Sequence, residues 1–297
     1  MEEKLLLISV VTPSYNQAQF LEETILSVLN QDYPYLEYII IDGGSSDGSV
    51  DIVRKYEERL AYWVSEPDRG QSHALNKGIG RATGDILFWL NADDICLPGA
   101  FSKVAEAFSQ QPPPRIVIGQ AYIIDHEGKL LGQRESQFTS WADYATRKCD
   151  IRQVAAFFDR KLFNELGGVD ESLEYAMDTD LLLRFTRLHY PLIISEYLAA
   201  YRKHGGTKFK SNLLPGYREA DMIRIRHLDG PELENAYRDW SARHWFLLAI
   251  SFDTRNSDRL PCLRNVWRMK PSVFFSIHFW LVPVRILLRW LISKFRA

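Results

Sequence analysis

The stretch that decides the fold is Asp85-Ile-Leu-Phe-Trp-Leu-Asn-Ala-Asp93-Asp94. Residues 85–90 read as a strand, apolar from Ile86 on, and Asn91, Asp93 and Asp94 stand at its carboxyl end. In an open α/β sheet that edge is where ligands bind. Two neighbouring acids there offer hard oxygen ligands to Mn²⁺ or Mg²⁺, with water and substrate phosphates completing the shell. The plainer alternative is an Asp-Asp turn that stops a strand and caps a helix near Pro98. The surroundings of the pair decide between the two.

Strands and helices alternate around this run. Residues 5–11 are continuously apolar and lead into Thr12-Pro13-Ser14-Tyr15-Asn16. Over residues 20–29, Phe20, Leu21, Ile25, Val28 and Leu29 recur at helical spacing. A second strand over 38–41 ends in Asp42-Gly-Gly-Ser-Ser-Asp-Gly. A polar-faced helix over 49–60, a short strand over 61–65 and a helix over 72–81 precede the strand at 85–90. Such alternation implies right-handed crossovers and a mainly parallel sheet. Past the break at Gln111-Pro-Pro-Pro114, a strand is expected over 116–124 and a hairpin turn at Asp125-His-Glu-Gly128. The patterns then give helices over 141–147, 160–166 and 178–188, a strand over 193–201 and two helices between 212 and 250.

Bulk properties narrow the function classes. The 297 residues suit one large α/β domain with additions, or two domains. A formal net charge of −2 gives no overall basic excess, so no nucleic-acid partner is expected. Cys96, Cys149 and Cys262 are scattered without metal-site spacing, which points to a reducing compartment and away from structural zinc. The start, Met-Glu-Glu-Lys followed by a short apolar run, is too short and too acidic for a signal peptide. The expected location is therefore the cytoplasm.

Charge is uneven at the other end. From Arg259 onward there are eight Lys or Arg and no Asp or Glu, interleaved with Trp, Phe, Ile and Leu. The uncharged run over 271–284 is short of a membrane span. A basic, aromatic, amphipathic end suits a membrane surface; the alternative is a helix packed on protein.

Three strand ends share one edge of a parallel sheet. They bring together Thr12, Pro13, Tyr15 and Asn16 from the first, Asp42 from the second, and Asn91, Asp93 and Asp94 from the fourth. Asp42 is placed to accept from the N3–H of a uracil or thymine with Tyr15 or Pro13 against the ring, or else to cap the turn at Gly43-Gly44. Asp68, Arg69 and Lys77 reach the same edge and are candidates for the base or a diphosphate, although Lys77 also suits an exposed helix face.

Taken together, these segments resemble glycosyltransferase family 2, inverting nucleotide-sugar-dependent enzymes with the GT-A fold. The resemblance rests on Ile8-Ser-Val-Val-Thr-Pro-Ser-Tyr-Asn16, Ile40-Ile-Asp-Gly-Gly-Ser-Ser-Asp-Gly-Ser49, Ser65-Glu-Pro-Asp-Arg-Gly-Gln71, Asn76-Lys-Gly-Ile79 and Asn91-Ala-Asp-Asp94, with Leu21-Glu-Glu-Thr-Ile-Leu-Ser-Val-Leu-Asn-Gln31 between. Asp-Gly-Gly-Ser, in place of the commoner Asp-Asp-Gly-Ser, resembles the branch that makes bacterial O-antigen and capsule polysaccharides. The likeness continues through Gly167-Gly-Val-Asp-Glu-Ser-Leu-Glu-Tyr-Ala-Met-Asp-Thr-Asp180. It implies that Asp178 is the catalytic base, with Met177 where many relatives have Glu, and that Asp180 is structural. It also implies Gln153 near the donor sugar, Asp94 with Asp93 on the metal, and His204 as a third metal or diphosphate ligand. Asn91 departs from the Asp that often begins the metal motif.

The chemistry suits these residues. Inverting transfer is one displacement: a carboxylate takes the acceptor hydroxyl proton while the diphosphate leaves from the other face. The expected architecture is a GT-A catalytic domain over 1–210, with a donor half over 1–120 and an acceptor half over 121–210. A helical extension over 211–297 ends in the membrane-surface segment. The expected function is transfer from a nucleotide diphosphate sugar, UDP before others, to a hydroxyl of a lipid-linked cell-surface glycan at the cytoplasmic membrane face of a bacterium. The alternatives are transfer to polyprenyl phosphate and an inert scaffold on the same fold.

Overall fold

The computed structural model describes residues 5–206, 213–250 and 256–271. Residues 272–297, most of the proposed membrane-surface segment, lie outside the described residues. Among the described residues no helix is long and apolar enough to cross a membrane.

The chain divides into two units. The first comprises residues 1–144 and 148–223, and the second residues 145–147 and 224–297. In the first, strands β1 (Ile8–Ser14), β2 (Leu36–Asp42), β3 (Tyr62–Ser65) and β4 (Ile86–Trp89) alternate with helices α1 (Ala18–Leu29), α2 (Ser49–Lys55) and α3 (Gln71–Ile79). After β5 (Ile95–Cys96) come α4 (Ala100–Phe108), β6 (Ile116–Ile124), β7 (Leu130–Arg134), α5 (Trp141–Ala145), β8 (Ala156–Asp159), α6 (Arg160–Glu165), α7 (Met177–Leu188) and β9 (Leu192–Arg202). Helix α8 (Leu213–His227) contributes its residues up to Ile223.

The strands form one sheet in the order β3-β2-β1-β4-β8-β6-β9-β5, with β7 paired to β6. Pairing is parallel from β3 through β4, as the alternation predicts. Beyond β4 the sheet is mixed, because β8 runs antiparallel to both β4 and β6 while β6 and β9 are parallel. The α/β class therefore stands, and its parallel character belongs to the donor half.

Both faces of the parallel half are covered, which is why its strands read as unbroken apolar runs. Side chains alternate across the sheet. Ile8, Val10, Ile40, Ile86 and Phe88 share a core with Leu21, Ile25 and Val28 of α1 and Phe101, Val104 and Phe108 of α4. Phe88 stacks on Phe157 of β8, with ring centroids 4.1 Å apart. Against the other face lies α3. A Cβ at Gly78 would fall 2.4 Å from Val11 Cγ1, so this helix approaches the sheet as only glycine allows.

In the second unit, α9 (Pro231–Ile250) and α10 (Asn256–Met269) pack together. Trp240 stacks with Tyr237 and His244, and Arg147 lies over its ring. Burial and the Arg147 charge push the His244 imidazole down to about 4.

Candidate active site

A cavity of about 860 Å³ opens at the carboxyl ends of β1, β2 and β4. Pro13, Tyr15, Gly43, Asp68, Asn91 and Asp93 line it, together with Tyr201 and Gly206 from the end of β9. The sequence places its candidates at this edge, and the structure sorts them into those facing the cavity and those holding its wall.

Asp93 faces the cavity, and its Oδ2 lies 2.9 Å from His204 Nε2. The His204 ring rests on Phe20, centroids 4.6 Å apart. Residues 111 positions apart in sequence thus meet at the rim. Asp94 turns the other way. It is fully buried, its Oδ1 accepts from the Arg202 N–H (3.0 Å) and its Oδ2 from the Asn91 side-chain amide (3.1 Å). Burial and the neighbouring Asp93 carboxylate push Asp94 well above the ordinary carboxylate range. Both Asp94 oxygens thus serve the turn, and Asp93 is the acid of the pair that lines the cavity.

Asn91 now has a physical reason. Its Oδ1 accepts from Gln71 Nε2 and Trp89 Nε1, each at 2.8 Å, while its Nδ2 donates to Asp94. An aspartate could not make the last bond and would add a second negative charge beside a buried acid.

Asp42 is also fully buried and does not line the cavity. It accepts from the Gly44 and Ser45 N–H groups, from Ser45 Oγ and from Ser65 Oγ, at 2.5 to 3.1 Å. Its oxygens are taken by its own loop and by β3. The carboxylate at this wall that faces the cavity is Asp68. Its Oδ1 accepts from the Gly70 N–H (2.8 Å), and a Cβ at position 43 would fall 2.7 Å from its Oδ2. Glycine at 43 leaves the room in which Asp68 sits.

The remaining candidates hold the scaffold. Thr12 is buried, with Oγ1 3.1 Å from the Tyr38 hydroxyl. Asn16, in the left-handed region at φ 52°, accepts from Ser46 N–H and donates its own N–H to Ser45 Oγ. It lines a neighbouring cavity of about 470 Å³ with Phe20, His126 and His204. Gln153 donates to the Trp89 carbonyl (2.8 Å). Lys77 pairs with Glu66 (2.6 Å) and Arg69 with Glu171 (2.5 Å), so neither cation points into the cavity. Tyr15 is 62% exposed at the rim.

Asp178 lies in the first turn of α7, as expected, and is not among the residues lining the cavity. The chain leading to it is tied down by side chains that sequence reasoning does not find. Asn76 on α3 accepts from the Val169 N–H and donates to the Val169 carbonyl and to Glu171. Arg184 pairs with Asp180 (2.8 Å) and donates to the Leu166 and Gly168 carbonyls. Glu219 on α8 accepts from the N–H groups of Glu174, Tyr175 and Ala176.

Arg202 is the other residue missed. It is 1% exposed and donates to the carbonyls of Asp93, Asp125 and His126 and to Glu23, with Phe20 under its guanidinium. Its one sequence signal is the spacing Arg202-Lys-His204 at the end of a strand.

The donor set is mixed: the Asp93 carboxylate suits a hard divalent cation, and the His204 imidazole adds a nitrogen donor. One carboxylate and one imidazole converge at an open rim, and among the described residues no group of three or more such side chains forms a closed cage. Mg²⁺ and Mn²⁺ take few protein ligands where a diphosphate supplies the rest.

Comparison with known proteins shows the family. The family model described as Glycosyl transferase family 2 matches residues 9–167. An uncharacterized glycosyltransferase of Mycobacterium tuberculosis is 32% identical over 235 residues, 77% of this chain and 89% of its own. TuaG of Bacillus subtilis, named for teichuronic acid biosynthesis, is 43% identical over 91 residues, 30% of this chain and 36% of its own. S. aureus TarS in complex with UDP-GlcNAc superposes with a TM-score of 0.66 at 17% identity, over 88% of this chain and 79% of that one. Mannosyltransferase PcManGT from Pyrobaculum calidifontis, in complex with GDP-Man and Mn²⁺, does so at 0.60 and 18%, over 98% and 82%. At such identities the structures establish a shared GT-A fold. The chain belongs to glycosyltransferase family 2 and is a glycosyltransferase.

Proposed function

We propose that the protein transfers a sugar, with inversion, from a UDP-sugar to a hydroxyl of a growing cell-surface glycan. The observation that carries this reading is the Asp93–His204 pair at the mouth of the strand-end cavity. Tyr15 covers the base from the exposed side, and Asp68 Oδ2 accepts the imide N–H of uracil. Asp93 and His204 would hold Mn²⁺ or Mg²⁺, which would supply positive charge against the leaving diphosphate. Asp94, Asn91 and Arg202 keep Asp93 at the rim. Asp178 takes the proton from the acceptor hydroxyl as it attacks the anomeric carbon, so no covalent sugar–enzyme species is needed.

The donor class finds support in UDP-GlcNAc bound to TarS, and the glycan class in the naming of TuaG for teichuronic acid biosynthesis. A lipid-linked acceptor explains the basic, aromatic residues after Arg259: they hold a peripheral enzyme on the cytoplasmic face of the membrane where its substrate is anchored. The catalytic part then spans residues 1–210, with α8 joining it as far as Ile223, and the extension beyond serves docking.

Calorimetry with UDP, dTDP and GDP, with and without Mn²⁺, tests the donor site. Expected is Mn²⁺-dependent binding of UDP, weakened about 100-fold or more in Asp93→Ala, the scale of disrupted metal coordination. Binding of none of the three nucleotides by the wild type sinks the reading.

A further inference from the structure

We propose that Glu219 is a positioning residue for the general base, reaching from the extension helix into the acceptor side of the site. The inference rests on the reading of Asp178 as that base.

Residues 174–176 lead directly into α7, whose first residue is Met177. The N–H groups at a helix start have no partners within the helix. The N-cap here is Ala176, which has no side-chain acceptor, and inside the helix the Thr179 N–H is taken by Asp178 Oδ1 at 2.6 Å. The N–H groups of the chain running up to the helix are taken by Glu219: Oε1 accepts from Glu174 N–H at 3.0 Å, and Oε2 from Tyr175 and Ala176 N–H at 2.5 and 2.7 Å. Bonds to a carboxylate are the stronger kind, and negative charge is favoured at this end of a helix. Three successive backbone groups are thus fixed by one side chain, two residues before Asp178.

The consequence is geometric. A general base works only within hydrogen-bond reach of the proton it removes. Neither Glu219 nor residues 174–176 line the donor cavity, so their loss should leave the nucleotide site as it was. Glu219 therefore acts on turnover and leaves donor binding alone. Glutamine keeps one carbonyl oxygen, enough for the two bonds at Oε2, so Glu219→Gln should be the milder change.

The test uses the full chain as wild type, Glu219→Gln, Glu219→Ala, Asp178→Asn and the Glu219→Ala/Asp178→Asn double variant. UDP release from UDP-N-acetylglucosamine with Mn²⁺ gives kcat and KM, calorimetry gives the UDP Kd, and hydrogen exchange follows the amides of residues 174–176. Expected is a kcat lower by about 5-fold in Glu219→Gln and about 50-fold in Glu219→Ala, within the range for a base displaced by a fraction of an ångström to an ångström. KM and Kd should stay within about twofold, and exchange at 174–176 should accelerate at least about tenfold in Glu219→Ala, as for amides released from a native hydrogen bond. The double variant should be no slower than Asp178→Asn, because Glu219 acts through Asp178.

Unchanged kcat in Glu219→Ala, a double variant slower by the same factor, or UDP affinity falling in parallel overturns the proposal and leaves a structural contact. Should Asp178→Asn turn over like the wild type, the reading of the base fails. Should the wild type release no UDP from this donor, the exchange measurement still decides: unaltered exchange in Glu219→Ala overturns the positioning role.

Discussion

The donor wall and the segment leading to Asp178 are built by different means. At the donor wall each turn is closed mainly from within. Asp42 is bonded by Gly44 and Ser45 of its own loop, and Asp47 by Ser49 two residues on, with Ser65 and the Ala18 N–H adding neighbours from the same sheet edge. Residues 167–176 carry one such closure, at Asp170, whose Oδ1 accepts from the N–H and hydroxyl of Ser172, and the rest of the segment is fixed from outside. Asn76, Arg184 and Glu219 hold them, from three different helices. The wall is the product of short-range turns and should persist through changes elsewhere. The segment leading to the proposed base is held mainly by long-range contacts and can be loosened without touching the cavity lining. Binding and turnover should therefore separate under mutation.

The largest effect that would break this separation is at Asp178. Removing a general base typically slows a reaction by 10² to 10⁴, and about 10³ is expected for Asp178→Asn, near 4 kcal/mol of transition-state stabilisation. The UDP Kd should move by no more than about twofold, since Asp178 does not line the cavity. Loss of UDP affinity in this variant would show that the two regions are one site energetically.

The wall can be attacked from its own side. Asp42→Ala strands the donors of Gly44, Ser45 and Ser65 around a fully buried position. Unpaired buried groups cost about 1–3 kcal/mol each before relaxation, so a loss of about 3 kcal/mol in unfolding free energy is expected. Thermal denaturation should report it as a midpoint lower by about 8 °C, using the scaling for a domain of this size. UDP binding should weaken as well, because the loop carries Gly43 and Gly44 of the cavity lining. Asp42→Asn keeps one acceptor oxygen and should lose about half as much. An undisturbed melting point in Asp42→Ala would mean that the loop closes without its central acid.

The same contrast explains what could be read from the chain alone. Strand ends at Thr12, Asp42 and Asn91 were legible because apolar runs followed by turn residues are local signals, and the parallel order follows from their alternation. The direction of each acid was not. Asp93 and Asp94 are neighbours, and which of them faces the cavity depends on the backbone N–H of Arg202, 108 positions away. Asp42 carries a motif that suits either a ligand or a turn, and the choice lies with Ser65, 23 positions on. The mixed half escaped for similar reasons. Strand β5 has only two residues, and β8 owes its antiparallel place to partners in β4 and β6. Helix α4 is readable from the spacing of Phe101, Val104, Ala107 and Phe108, but enters the expectations only as the helix near Pro98. Glu219 has no local signal at all, since its partners precede it by 43 to 45 positions.

The smallest test sharpens the contrast at the point where the two regions meet. Asn76 belongs to the helix that also supplies Gln71 and Ala74 to the donor cavity, yet its amide bonds Val169 and Glu171 of the base segment. Asn76→Ala removes three hydrogen bonds and should cost about 1–2 kcal/mol of stability, the net worth of a partly exposed set. It should lower kcat about fivefold, as a modest misplacement of a catalytic group does, with the UDP Kd unchanged. Acid should release the same clamp in the wild type. The Asn76 amide, and then Arg69, hold the Glu171 carboxyl below its ordinary range. A carboxyl depressed in the folded state stabilises fully above its unfolded value, and that contribution is lost as pH falls through the lowered one. Stability and kcat should thus decline together on the acid side, and Asn76→Ala should show a shallower decline because the largest cause of the shift is gone. Equal slopes in the two proteins would place the acid sensitivity elsewhere. A fall in UDP affinity in Asn76→Ala would mean that α3 transmits to the nucleotide what it feels from the base.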